Sequence, residues 1–214
     1  KGALEAFAAL NKLRKVPIEV VPYPVDLDFA RILPPNQIPE RANQYNPSSK
    51  SPINVVIPIS GAAVGMEFFL HLMRHLHQAS SRFVFYVVCR KAPFTANFLR
   101  LIESRDYVRL FASADYKEVV DEYKLVYLKN VISAEITKPS EQAFKALLRA
   151  DSVGGSFLLL AQPVGRQEYD NINFLDRHGL LSDDLNSQRG CILPNGSKAS
   201  ADLIWDLFNS GKLF

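Results

Sequence analysis

Three short, nearly unbroken apolar runs constrain this chain more than any other feature: Asn54–Ile59 (NVVIPI), Phe83–Cys89 (FVFYVVC) and Phe157–Ala161 (FLLLA). A strand with one wet face alternates apolar and polar residues, so runs without alternation belong to strands buried on both faces. Helical spacing fills the gaps between them. Met66–Gln78 sets Met66, Phe69, Leu70, Met73 and Leu76 on one stripe. Further helices are expected at Ala92–Ser104, from about Asp115, at Glu141–Ala150, at Glu168–His178 and at Ala199–Asn209. Tyr107–Phe111 reads as a third strand, and Leu125–Thr137 as an ambiguous stretch holding at least one strand that ends at Ile136. Strands buried on both faces and alternating with helices predict an α/β chain with a doubly wound, mostly parallel, Rossmann-like sheet.

The first fifty residues have another character. Ala3–Lys15 carries Leu4, Phe7, Ala8, Leu10 and Leu13 in a helical pattern that Pro17 ends. From Pro22 to Pro52, prolines at 22, 24, 34, 35, 39, 47 and 52 predict an extended linker without regular structure. The expected division is therefore a helix plus proline-rich crossover over 1–51 and a ligand-binding domain over 52–214.

Composition narrows the function classes. The 25 basic and 22 acidic residues are interspersed, and a net charge of +3 is too mild for a nucleic-acid partner. Peripheral contact with an anionic membrane surface stays open. The longest apolar run falls far short of the roughly 20 residues of a spanning helix. Cys89 and Cys191 lack metal-ligand spacing and read as ordinary buried thiols of a reduced, cytoplasmic compartment. His71 and His75 lie four apart but without the glutamate of an HExxH motif, and Asp183-Asp184 forms no DxD motif, so no metal is expected. Trp205 reads as core. The chain starts at Lys1 rather than Met, as a processed or cut fragment would.

In open parallel sheets ligands bind beyond the carboxyl ends of the strands. Three segments fall there. The loop Ser60-Gly61-Ala62-Ala63-Val64-Gly65 has residues small enough for a diphosphate to approach the backbone, although a tight strand-to-helix turn explains its glycines equally well. Thr137-Lys138-Pro139-Ser140-Glu141 reads as a helix start with Ser140 as N-cap. Its Glu141 either holds vicinal ribose hydroxyls or merely complements the helix dipole. The third, Gln162–Asn171, opens a helix with more hydrogen-bonding side chains than capping needs, among them Arg166, Gln167, Glu168 and Asn171.

In this order and spacing the segments resemble the C-terminal domain of GT-B-fold glycosyltransferases. The likeness is to monogalactosyldiacylglycerol synthases and the N-acetylglucosaminyltransferase that makes lipid II. The pattern "ITKPGG…EAL" of that group compares with Ile136-Thr137-Lys138-Pro139-Ser140-Glu141 and Ala146-Leu147. "P…GQE…N…FL" compares with Pro163, Gly165-Arg166-Gln167-Glu168, Asn171 and Phe174-Leu175. The resemblance covers about Pro52 to Leu181 and implies one half of a GT-B fold. It implies a hexosyltransferase that moves a sugar from a nucleoside-diphosphate sugar to an acceptor hydroxyl without a cofactor or metal. Glu141 would then bind ribose, Gln167 and Glu168 the sugar, and Ser60–Gly65 the diphosphate. Phe111–Ser113 would flank the base, and Arg90 would serve a phosphate or the domain interface.

The general base would belong to an acceptor-binding N-terminal domain outside this chain, leaving the isolated chain inactive. Two departures stand out: Ser140-Glu141 replaces a glycine pair, and the first loop keeps few glycines. They leave a second reading open, a non-catalytic nucleotide- or sugar-binding module. A UDP-sugar 2-epimerase is a third reading. A nicotinamide dehydrogenase is disfavoured because GxGxxG is missing and Cys89-Arg90 stands where an acid is needed.

Overall fold

A computed structural model describes Ala9, residues 25–59, 65–181, 189–211 and residue 213. Apart from Ala9, the expected helix over Ala3–Lys15 lies outside the described residues, as do the Ser60–Val64 part of the first loop, Asp183 and Asp184.

Six strands form one all-parallel sheet: β1 (Ile53–Ile59), β2 (Phe83–Arg90), β3 (Val108–Ser113), β4 (Ala134–Thr137), β5 (Phe157–Leu160) and β6 (Gly190–Ile192). Their spatial order is β3-β2-β1-β4-β5-β6. The chain winds outward from β1 through β2 to β3, then returns and winds outward the other way from β4. This is the Rossmann-like doubly wound arrangement.

Among the described residues seven α-helices flank the sheet, α1 (Leu27–Ala30), α2 (Gln37–Tyr45), α3 (Met66–Ala79), α4 (Ala96–Glu103), α5 (Tyr116–Lys129), α6 (Arg166–Arg177) and α7 (Ser197–Asn209), together with 3-10 segments at Pro93–Thr95 and Glu141–Leu147. On one face Ile53, Val55, Ile57, Ile136 and Leu159 meet Leu72, Met73 and Leu76 of α3 and Ile204 and Phe208 of α7. On the other, Val56 and Val88 meet Val126 and Tyr127 of α5, and Leu158 and Leu160 meet Phe174 and Leu175 of α6. Period-2 alternation with both faces covered explains why these strands read as solid apolar runs.

Local chemistry sets the boundaries. Asp115 caps α5, its carboxylate accepting from the Lys117 N–H at 2.7 Å. Gly65 precedes α3 at φ 87°, a left-handed conformation that disfavours side chains. The ambiguous stretch resolves into the end of α5 and β4.

Four expectations need correction. Glu141–Leu147 is a 3-10 segment, not an α-helix to Ala150; its buried Ala143 and Ala146 repeat every three residues, which matches three residues per turn. Ser140 makes no capping bond, because its hydroxyl donates to the Gln142 side chain. The three-residue β6 was too short for its pattern to register.

The fourth concerns the proline-rich segment, which is not extended: it folds into α1 and α2. Pro39 stands in the first turn of α2, where a missing N–H costs nothing, and Pro47 follows its end. α2 is tied to the sheet domain by Arg41, 4% exposed, which donates to the carbonyls of Ala150, Ser152 and Val153 at 2.9, 2.7 and 2.9 Å. Gln44 donates to the Val131 carbonyl and accepts from the Asn54 N–H, both at 2.8 Å.

Replacing Arg41 by Met strands the buried carbonyls of Ser152 and Val153, so urea unfolding should reveal a loss of about 2–4 kcal/mol. A loss under about 0.5 kcal/mol would mean that the segment is only loosely attached.

Candidate functional site

Where the winding reverses, β1 and β4 part. Their pairing covers only Val55↔Ala134 and Val56↔Glu135, and Pro58 has no N–H to extend the ladder. Pro58 and Ile59 instead line a cavity of about 660 Å³ at the carboxyl ends of β1, β2 and β4. Val88 and Arg90 reach it from β2, Thr137 and Lys138 from β4, and Ser140, Glu141 and Gln142 from the 3-10 segment. Its remaining wall is α5, through Tyr116, Val119, Val120, Asp121, Tyr123 and Lys124, with Asp26 and Phe29 from the α1 region; Asp121 is paired with Lys117.

Of the residues singled out in the sequence, Arg90, Lys138, Ser140 and Glu141 share this cavity. Gln167 joins them indirectly: its amide donates to the Glu141 carboxylate at 2.9 Å, linking the second and third segments. Further bonds lace the same two loops together. The Asn171 amide donates to the Pro139 carbonyl at 2.8 Å, and the Lys138 ammonium to the Gln162 carbonyl at 3.3 Å. Glu168 accepts from the Val164 N–H at 2.8 Å and lies 4.0 Å from Lys138. Arg166 points to solvent, its side chain 96% exposed.

Phe111 lies in a separate cleft with Tyr86 and Val126. Ser113 donates to Glu118 at 2.6 Å. Gly65 starts α3 but does not line the cavity, and Ser60 and Gly61 lie outside the described residues.

The cavity carries charges of both signs. The Lys124 ammonium is committed to Asp26 at 3.1 Å and to Asp28. Arg90 is exposed and has no ion pair among the described residues, so its guanidinium is open to an anion, while Asp121 and Glu141 stand in the same lining and Glu168 lies 4.0 Å from Lys138.

Beneath this floor lies a cluster that the sequence reading missed. Glu135, 0% exposed in the middle of β4, pairs with Lys145, 4% exposed on the 3-10 segment. Tyr123 donates to the same carboxylate at 2.8 Å, and Tyr127 also bonds to it. The Lys145 ammonium further donates to both tyrosine hydroxyls and stands 4.2 Å from the Tyr127 ring centre. Phe29 packs edge-on against both tyrosines, at 5.8 and 5.1 Å between ring centres. Burial drives the Lys145 pKa down, opposed by the Glu135 charge. It drives Tyr123 and Tyr127 well up, and the same charge reinforces that. A signal was present: Tyr123 and Tyr127 lie four apart on one helix face, and a lone glutamate interrupts an apolar strand.

No group of three or more His, Cys, Asp or Glu side chains suited to a metal occurs among the described residues, and no helix there is long and apolar enough to cross a membrane. Cys89 and Cys191 are free, buried thiols that burial raises to about 11 and about 12. Trp205 packs its edge on the core residue Phe83.

These raised values fix the sign of an alkaline effect. Unfolded cysteine ionises near pH 8.5 and tyrosine near 10, so above those values the unfolded chain sheds protons that the folded chain keeps. The stability contributed by the thiols and the two tyrosines is complete below about pH 8 and is lost as pH rises toward 12. Lys145 acts in the opposite sense but is one group against four. The melting temperature should therefore fall steadily between pH 8 and 11; a flat or rising profile would contradict the burial of these groups.

No known protein-family model matches the chain, and no curated protein matches it in sequence.

Proposed function

We propose that this chain is the donor-binding half of a glycosyltransferase, holding a nucleoside-diphosphate sugar in the cavity between β1 and β4. One observation carries the reading. The Glu141 carboxylate and the Gln167 amide, from the two most family-like segments, bond to each other at the rim of a 660 Å³ cavity that also takes in Arg90 and Lys138. The cavity opens at the topological switch point, where doubly wound sheets receive nucleotides.

In this reading Arg90 and Lys138 face the diphosphate. The second carboxylate oxygen of Glu141 accepts from the ribose hydroxyls, and Gln167 holds Glu141 in that pose. The sugar lies toward Gln167 and Glu168. Transfer proceeds by attack of an acceptor hydroxyl on the anomeric carbon. The new C–O bond forms as the bond to the β-phosphate oxygen breaks, and the diphosphate leaves with the electron pair. Arg90 and Lys138 stabilise the charge growing on that oxygen, a contribution that is larger in the transition state than in the ground state. The acceptor proton goes to a general base on an acceptor-binding domain outside this chain, so the chain by itself binds donor without transferring sugar.

Titration calorimetry against UDP, GDP, TDP and NAD tests the assignment. The expected result is binding of one of the three nucleoside diphosphates, weakened about tenfold or more by Glu141→Ala, the usual loss for a hydrogen bond to a charged group. Binding of NAD alone would overturn it. Binding by a full-length protein that transfers and hydrolyses no sugar would turn the reading into that of a non-catalytic module.

A further inference from the structure

The Glu135–Lys145 pair is costly to build. Taking two charges out of water is repaid only when geometry and extra hydrogen bonds are good, and apolar residues of similar volume often serve stability as well or better. Strand β4 is otherwise made of the apolar Ala134 and Ile136 and of Thr137, all buried, so a third apolar side chain would fit the strand. Stability alone gives no reason for a carboxylate there.

The ammonium has three donors, and Glu135, Tyr123 and Tyr127 each take one. These partners come from β4 and α5, while Lys145 belongs to the 3-10 segment. That segment has only seven residues, and the poor hydrogen bonding of 3-10 geometry holds it weakly. At three residues per turn, Gln142 lies directly above Lys145, and Glu141 precedes it. Both line the cavity, as does Tyr123. A smaller pocket of about 150 Å³ has Lys145 in its wall together with Tyr123, Glu141 and Gln142, so the pair stands directly behind the ligand-facing residues.

We infer that Lys145 is the positioning residue of the cavity. Its contact with Glu135, completed by the hydroxyls of Tyr123 and Tyr127, pins the 3-10 segment to the sheet and sets Glu141 and Gln142 at the angle a ligand meets. For its ligand the inference rests on the donor reading; the pinning itself does not.

The double variant Glu135→Leu/Lys145→Met removes both charges and leaves no ion unpaired. Its melting temperature should stay within a few degrees of the wild type. Affinity by calorimetry for whichever of UDP, GDP and TDP the wild type binds should nevertheless fall about tenfold, because the ligand-facing groups lose their aim. Amide hydrogen exchange should quicken over 141–147 and not in β1 or β2. Wild-type affinity with unchanged exchange in that segment would overturn the inference, as would faster exchange spread evenly through the sheet. Should the double variant fail to fold, Tyr123→Phe removes a single hydroxyl partner. It should weaken binding of the same nucleoside diphosphate about threefold and loosen the same segment; no effect on either would overturn the inference. A wild-type chain that binds none of UDP, GDP and TDP would count against the donor reading alone, and the exchange pattern would then decide the role of Lys145.

Discussion

A parallel sheet buried on both faces must send its crossover helices to both sides, and that requirement organises everything else in this molecule. Right-handed crossovers starting from β1 run one way; to cover the opposite face the chain has to return to the middle and start again at β4. The two strands that begin opposite windings then stand side by side while their following loops diverge. The crevice between those loops is a by-product of topology. Pro58 widens it at the level where β1 and β4 stop pairing, and the polar side chains of the chain converge on it.

Much of the structure around that crevice holds loops in place. Asn171, Lys138 and Gln167 tie the loop after β4 to the loop after β5, each by a hydrogen bond of 3.3 Å or less, and Glu168 adds an ion pair to Lys138 at 4.0 Å. The Lys145 cluster ties the 3-10 segment to α5 and β4 from below. On the far wall, Lys124 and Phe29 fasten the α1 region over α5. A pocket framed by three separately tethered walls changes shape little on binding, which reduces the ordering a ligand would otherwise impose.

The fold was legible because burial on both faces leaves a plain mark: short runs such as FVFYVVC, set between amphipathic helices, fit strands covered on each side. Alternation of such strands with helices pointed to a doubly wound, mostly parallel sheet, but the strand order β3-β2-β1-β4-β5-β6 came from the structure. The helix α2 was not, because the rule that proline breaks helices is silent about the first turn, where Pro39 sits. The site was half legible. Residues that act through local position, such as Arg90 at a strand end and Glu141 after a proline turn, could be named from their neighbours in sequence. Glu135 and Lys145 could not be paired that way, since what joins them is the third dimension: a mid-strand carboxylate ten residues from its lysine, with tyrosines from the preceding helix closing the cage. The family resemblance implied a base-flanking role for Phe111 and Ser113, yet neither lines the cavity, and Ser113 bonds to Glu118.

The central claim is that the β1–β4 crevice receives the diphosphate of a nucleotide. A crystal structure of the chain soaked with a nucleoside diphosphate tests it most directly. The account predicts phosphate density between Arg90 and Lys138, with the ribose hydroxyls within hydrogen-bond reach of Glu141. Density for the nucleotide at another surface, with this crevice empty, would contradict it.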